Sequence, residues 1–490
     1  MVTSSGVGER ATEGREEAGG GWPVTQRGAS RDAPTRPRAV LLVANEANPY
    51  SRALRVARSL AEQGFDVEIA AVSGDAPDVE HDGEIAIRRY RPTGGWARLS
   101  SWADRATSAP AIGPKGNSPS RRTGRLERAI RRGPAASLAL AVKVAFWPLR
   151  VRGWGATLRR ELPPADLYHA FGILTIPIAL DLAAAARSAG RHGRAVYDVI
   201  DVILESNNYD DVARPLLAWY RVRERRWVRR ADAIVTVNEP IATHLRSAWR
   251  LRTDPVVLLN SQPRWDPPAD RPDRIREATG IPPARRIVLF LGRLGRERGL
   301  DEAAEAVLSL DDAALVLIGF GVWADRLRQR DTDPRFVGRH FTLPPVHPDE
   351  LAAWTASADV SIVAVPANSL NQRLSSPNKF WESLTAGTPV VVGRDLVVMR
   401  EIVEAERVGA VADLAEVEAG LRGVLDQPPA DLAAMRERCL AITRTRYNWE
   451  TAVQPYLRLV TELVPVATGP SATVPAPSPA AAPAADESAP

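Results

Sequence analysis

Two arginines five residues apart, Arg293 and Arg298, stand in the run Gly292-Arg293-Leu294-Gly295-Arg296-Glu297-Arg298-Gly299, directly after the apolar stretch Ile287 to Leu291. That stretch reads as a strand, so both guanidinium groups fall just beyond its carboxyl end. There they can converge on a diphosphate, whose oxygens match the planar fork of arginine. A solvated basic loop is the alternative. A second constellation runs from Ser375-Ser376-Pro377-Asn378-Lys379 through Glu382 to Gly387-Thr388-Pro389. It reads as a loop, a Pro at a first helical turn, a short helix, a Gly cap and a buried strand, Val390 to Val392. A helix start presents free N–H groups and the positive dipole end, which suits a phosphate. One turn in, Glu382 can accept hydrogen bonds from both hydroxyls of a ribose, each worth about 1.5–3 kcal/mol because the acceptor is charged. The alternative pairs Glu382 with Lys379 on a solvated face, worth about 0.3 kcal/mol.

The elements that must position these groups alternate strand and helix from Ala39 onward, the pattern of parallel sheets covered on both faces. Strands are expected at Ala39 to Ala44, Val67 to Val72, Asp166 to Ala170, Ala195 to Val199, Ala233 to Val237 and Val256 to Leu259. A Pro-rich joint, Gln262 to Pro283, precedes a second series at Ile287 to Leu291, Ala314 to Ile318, Asp359 to Val363 and Pro389 to Val392. The fold class is therefore α/β with two doubly wound, Rossmann-like domains, 39–265 and 284–445, followed by a crossover helix in 446–464. Ligands of such sheets bind at the carboxyl strand ends, so the site is expected in the cleft between domains. The ends, 1–38 and 466–490, are Gly-, Pro- and Ala-rich without apolar periodicity and are expected to be disordered.

With 45% hydrophobic and 25% charged residues in 490, the chain is neither wholly disordered nor a polytopic membrane protein. A single cysteine, Cys439, excludes an intramolecular disulfide and a cysteine-based metal cluster, and six histidines make a structural metal site a poor expectation. No secretory signal is visible at the N-terminus, so a cytoplasmic location is the default.

These motifs, in this order, resemble the nucleotide-sugar-dependent glycosyltransferases of the GT-B fold, and within them glycosyltransferase family four. The resemblance rests on the Gly-Arg-Leu loop with its basic pair, Arg298 standing where Lys is usual. It rests also on the turn Gly319-Phe320-Gly321 and on Glu382 ahead of Thr385-Ala386-Gly387-Thr388-Pro389-Val390-Val391. It assigns Glu382, Lys379, Asn378, Ser376, Gly319, Gly321 and Val346 to the donor pocket, and Arg293, Arg298 and His169 to catalysis. His169 enters through Asp166-Leu167-Tyr168-His169, similar to the family's Asp-x-x-His strand; a satisfied core histidine is the alternative. On the acceptor side it implies Arg52, in the loop after the first strand, and Asp198 and Asp201 of Tyr197-Asp198-Val199-Ile200-Asp201. Asn238 and Asn260 follow the same template, and the helix Trp449 to Leu463 is expected to return to the first domain. One departure is Leu374, where the family commonly carries a glutamate touching the sugar; Asn371, Gln372 and Asn378 are candidates to replace that contact, or else turn residues.

The resemblance implies a transferase moving a sugar from a nucleoside-diphosphate sugar to a glycan or lipid-linked hydroxyl in cell-envelope or exopolysaccharide synthesis. It implies retention of configuration and no cofactor or metal, the donor being a substrate. A nucleotide-sugar 2-epimerase of the same architecture and an inactive nucleotide-sugar-binding protein are the rival readings. The net charge is only +5, yet Arg121 to Arg160 holds eleven basic residues against one acid, Glu127. This argues for a local basic surface and against nucleic acid as partner. It lies in an apparent insertion, 94–161, whose apolar run Ala135 to Leu149 is too short to span a bilayer. Residues 121–160 can instead lie on an anionic membrane, peripherally on its inner face, or form an elaborated helical flap.

Overall fold

Runs of small and β-branched residues with little alternation, such as Ala39-Val40-Leu41-Leu42-Val43, must hide both faces and so become central parallel strands. The computed structural model describes residues 36–47, 50–74, 76–93, 151–207, 214–268, 273–295, 298–363 and 365–465. The tails, most of the insertion, and Arg296 and Glu297 lie outside these residues.

Eight strands form the first sheet: β1 (Arg38–Val43), β2 (Asp66–Val72), β3 (Val79–Asp82), β4 (Ile85–Tyr90), β5 (Leu167–Phe171), β6 (Arg194–Val199), β7 (Ala233–Thr236) and β8 (Val256–Val257). Their order is β3-β4-β2-β1-β5-β6-β7-β8, parallel except for β3 against β4. The second sheet contains β9 (Arg286–Arg293), β10 (Ala313–Phe320), β11 (His340–Leu343), β12 (Val360–Val363), β13 (Val390–Val392) and β14 (Gly409–Val411), in the order β11-β10-β9-β12-β13-β14, all parallel. In both, the strand order reverses next to the first strand of the series, β1 or β9, which is where a doubly wound sheet opens a crevice at its carboxyl edge.

Helices cover both faces. α1 (Ser51–Glu62) packs Ala53, Val56, Ala57 and Leu60 against β1 and β2. On the opposite face lie α2 (residues 151–161) and α3 (Ile176–Ser188), with α4 (Arg214–Val228) beside α3. Trp154 and Leu158 of α2 are fully buried in the core, and Trp154 Nε1 donates to the Ala71 carbonyl at 3.3 Å. The last part of the insertion is thus a flap built into the core, and Trp154 is not available to a membrane. The chain then returns: α8 (Trp449–Ala452) and α9 (Gln454–Leu463) bury Trp449, Tyr456, Leu457 and Val460 in the first domain's cluster. Among the described residues no helix is long and apolar enough to cross a membrane.

Candidate functional site between the two sheets

Two helix N-termini meet in the crevice. α1 starts at Ser51, and α7 (Asn378–Thr385) starts at Asn378, whose Nδ2 donates to Ser51 Oγ at 3.3 Å. Neither helix has a side-chain cap; Pro377 occupies the N-cap of α7 rather than its first turn. The N–H groups of Ser51, Arg52 and Ala53 in α1 and of Asn378 and Lys379 in α7 therefore lack a side-chain cap, while Phe380 N donates to the Pro377 carbonyl at 3.0 Å; two positive dipole ends share one small volume, a setting that favours an anion.

Around that point four charged groups are electrostatically coupled. Burial lowers Lys379 from 10.5 to about 7, with Arg298 pushing the same way and Glu382 opposing; its Nζ lies 3.9 Å from the Phe290 ring centroid. Burial raises Glu382 from 4.5 to about 7, while Arg55 and Lys379 partly restore its charge. No hydrogen bond or ion pair to the Glu382 carboxylate forms among the described residues, and Lys379 leans on Phe290 instead of pairing with it. The solvated-pair alternative is therefore not what the helix does. Arg55 comes from the first domain: Nη2 donates to Asn260 Oδ1 at 2.9 Å, Nη1 to Gln262 Oε1 at 3.1 Å, and the guanidinium lies 5.1 Å from the Trp449 ring. Sequence reasoning missed Arg55; its only signal is one helical turn of separation from Ser51.

The stretch ahead of α7 is clamped to the first domain. Asn238 is the N-cap of α5 (Glu239–Trp249), accepting from Ile241 N at 2.9 Å, while its Nδ2 donates to the Leu374 carbonyl at 2.8 Å and to Ser376 Oγ at 3.2 Å. Asn260 Nδ2 donates to Asn378 Oδ1. From α6 (Leu370–Leu374), Asn371 Nδ2 donates to Asp201 Oδ1 at 3.3 Å, and Gln372 Oε1 accepts from Asn368 N at 2.9 Å and from Asn207 Nδ2 at 3.4 Å. Ser376 and Asn378 are thus seam residues as well as neighbours of the anion-favouring point, and Leu374 packs against the first domain's core. Gln372 ties down its own turn. Asn371 keeps a buried Oδ1 without a hydrogen-bond partner among the described residues. Asp201 is open to solvent but flanked by protein, which raises its pKa, with Asn371 and Arg298 opposing.

Three residues expected to line the cleft do something else. Arg52 is buried, donating from Nε and Nη2 to Asp198 at 2.8 and 3.1 Å and from Nη1 to the Leu258 carbonyl at 3.1 Å. His169 is fully buried, with Nε2 3.2 Å from Asp198 Oδ2 and Nδ1 2.9 Å from Tyr456 Oη. Burial lowers the His169 pKa, which keeps the ring neutral; Arg52 and His169 hold Asp198 below its usual value against the cost of burial. This chain of bonds joins α1, β5, β6 and α9 inside the first domain. In this structure His169 is bonded within the core, as in the alternative reading, and Arg52 and Asp198 form a buried pair.

The remaining donor-side residues sit at strand ends. Arg293 closes β9, exposed, opposite Phe320 of β10. A Cβ on Gly319 would lie 1.8 Å from the Gly292 carbonyl oxygen, and one on Gly321 2.1 Å from that of Leu294. The Gly-x-Gly turn thus lets the backbone of the arginine loop lie against β10, fixed by Leu294 N donating to the Phe320 carbonyl at 2.8 Å. Val346 follows β11, half-buried on the core beneath. Among the described residues no group of three or more His, Cys, Asp or Glu side chains is placed to hold a metal ion.

The chain is similar to known proteins. Residues 285–426 match the family described as Glycosyl transferases group 1. The GDP-mannose-dependent alpha-(1-6)-phosphatidylinositol monomannoside mannosyltransferase of Mycobacterium tuberculosis is 28% identical over 337 residues, 65% of this chain and 81% of that protein. The D-inositol 3-phosphate glycosyltransferase of Mycobacterium marinum is 27% identical over 247 residues, 48% of this chain and 51% of that one. Two solved structures have the same fold: sucrose-phosphate synthase from Thermosynechococcus elongatus (TM-score 0.57, 16% identity, 87% of this chain and 99% of that one) and Anabaena Alr3699/HepE in complex with UDP-glucose (0.57, 14%, 87% and 100%). The chain is a glycosyltransferase of the GT-B fold. Family four, which the motifs resemble, is consistent with all of these.

Proposed function

We propose that the chain transfers a hexose from a nucleoside-diphosphate sugar to a lipid-linked or glycan hydroxyl of the cell envelope, with retention of configuration and without a metal. The observation that carries the donor assignment is the Glu382 carboxylate, unpaired among the described residues, one turn from two uncapped helix N-termini. The diphosphate would lie at those N-termini with Arg298 and Lys379, and the ribose hydroxyls would donate to Glu382. Arg293 and Arg298 would stabilise the charge that develops on the departing diphosphate, where fixed donors are most effective. Asn371 Oδ1 and Asp201 would contact the sugar, taking over from the acid that Leu374 replaces. The mannosyltransferase named above makes GDP-mannose the first donor to test and a phosphoinositide-type lipid the first acceptor.

The test is thermal shift with GDP, UDP and ADP, followed by mass spectrometry of lipid extracts incubated with the matching sugar nucleotide. One nucleoside diphosphate should raise the melting temperature, since a ligand of the native state must, and a lipid should gain one hexose. An epimeric sugar nucleotide formed without acceptor would replace this reading with the epimerase. No stabilisation by any nucleotide would remove it.

A further inference from the structure

Away from the donor crevice, the first domain holds a second concavity of about 420 Å³ between α2, the start of α3 and α4. Its floor is apolar, including Ile173, Ile178 and Leu182. Its rim is basic: Arg152 and Arg159 come from α2, Arg223 from α4 and Arg230 from just beyond it. Among the described residues the only acid in the lining is Asp181, whose backbone carbonyl accepts from Arg159 Nη2 at 3.3 Å. None of the four arginines forms an ion pair among the described residues; Arg223 stacks 5.0 Å from the Trp219 ring instead. Trp219 is 42% exposed and Val222, on the same helix, 51%. Arg214 to Arg230 holds seven arginines and one acid, Glu224, which is buried and bonded to Tyr197 Oη at 2.8 Å, so it does not neutralise the rim.

We propose that this concavity takes the headgroup of an anionic glycerophospholipid. The phosphate would sit among the four arginines and the glycerol and first methylenes over the apolar floor, with Trp219 and Val222 at the bilayer interface. Charge decides the occupant. The stretch of this chain ahead of α2, Arg121 to Arg150, is itself strongly basic and would be repelled by the rim. Unpaired arginines around an apolar floor match a molecule with an anionic head and a hydrocarbon body, and an indole at the rim suits the wet-to-apolar boundary. Each arginine near an anionic leaflet strengthens binding by roughly fivefold, so the rim provides real affinity only for charged membranes. The proposal deepens the lipid-linked acceptor reading by placing the first domain on the membrane, but it is read without any transfer reaction.

The experiment is flotation of the full chain with vesicles of phosphatidylcholine alone and of phosphatidylcholine mixed with phosphatidylglycerol. The chain should float with the mixed vesicles only. R223E/R230E should weaken that binding more than tenfold and W219S more than threefold. The second-domain control R328E/R335E, with the same change in net charge, should stay within threefold of the parent. All variants should keep the thermal shift with nucleotide, which separates misfolding, and failure of the transferase reading, from failure of this one. Equal losses in R223E/R230E and the control, no loss in R223E/R230E, floating with neutral vesicles, or displacement by a phosphopeptide would each overturn the proposal.

Discussion

Replacing Glu382 by glutamine keeps the shape of the side chain and removes a charge that the fold holds at a cost. Its pKa of about 7, against 4.5 for an ordinary glutamate, means that the ionised form carries about 3 kcal/mol of burden in the free protein. A group whose folded pKa is raised contributes stability that is complete below its unfolded pKa and lost as pH rises through the folded one. The free E382Q protein should therefore gain on the parent between pH 4.5 and 7 and melt higher at pH 8, with about 3 kcal/mol as the ceiling because the side chain is only half-buried. Nucleotide binding should run the other way. Two ribose hydroxyls donating to the carboxylate bring about 3–6 kcal/mol, so at pH 8 the parent should bind its nucleoside diphosphate at least about 100-fold tighter than E382Q. At pH 5.5 the parent must first lose a proton held about 1.5 units above ambient, and its advantage should shrink by about 30-fold. Titration calorimetry of both proteins across that range reads the ratio directly. A ratio that does not change with pH, or an E382Q affinity within threefold of the parent at pH 8, would refute the assignment.

Three further outcomes follow from the packing. H169F should lower stability by about 1–3 kcal/mol, since it leaves Tyr456 Oη without a partner, yet keep kcat within threefold below its melting temperature; a 100-fold loss of kcat in a folded variant would return His169 to the chemistry. N260A removes an acceptor from buried Arg55 and a donor to Asn378, so it should cost about 1–3 kcal/mol in the melt and raise the donor KM; an unchanged KM would show that the seam does not position α7. G321A drives a Cβ into the Leu294 carbonyl, which backbone cannot relieve; a loss of about 1–3 kcal/mol with weakened nucleotide binding is expected, and a neutral result would mean the turn is free to move.

The central strands and the order of the motifs were legible because buried parallel strands are continuous apolar runs, as in β1 and β10. The strands that sequence reasoning passed over each lack that mark. β3, Val79-Glu80-His81-Asp82, is a polar antiparallel edge; β4 alternates as Ile85-Ala86-Ile87 and then Arg88-Arg89; β11, His340-Phe341-Thr342-Leu343, alternates polar and apolar residues; β14 has three residues starting at a glycine. On the donor side the residue types announce an anion and a diol, and Arg298, Lys379 and Glu382 are electrostatically coupled in the structure. On the first-domain side the same reasoning fails for a physical reason: a charged residue after a strand looks alike whether it faces solvent or a buried partner. Arg52 and Asp198 are 146 positions apart, and His169 meets Tyr456 across 287, separations that no local pattern encodes. Asn238 was visible as a template match, but its second bond, to the carbonyl of Leu374, exists only once the two domains are assembled.

A crystal structure of the chain soaked with the nucleoside diphosphate that stabilises it most would decide the matter. The diphosphate should lie at the N-termini of α1 and α7 within reach of Arg298 and Lys379, with both ribose hydroxyls about 2.7 Å from Glu382. A nucleotide bound elsewhere, or bound there with Glu382 turned away from the ribose, would contradict the account.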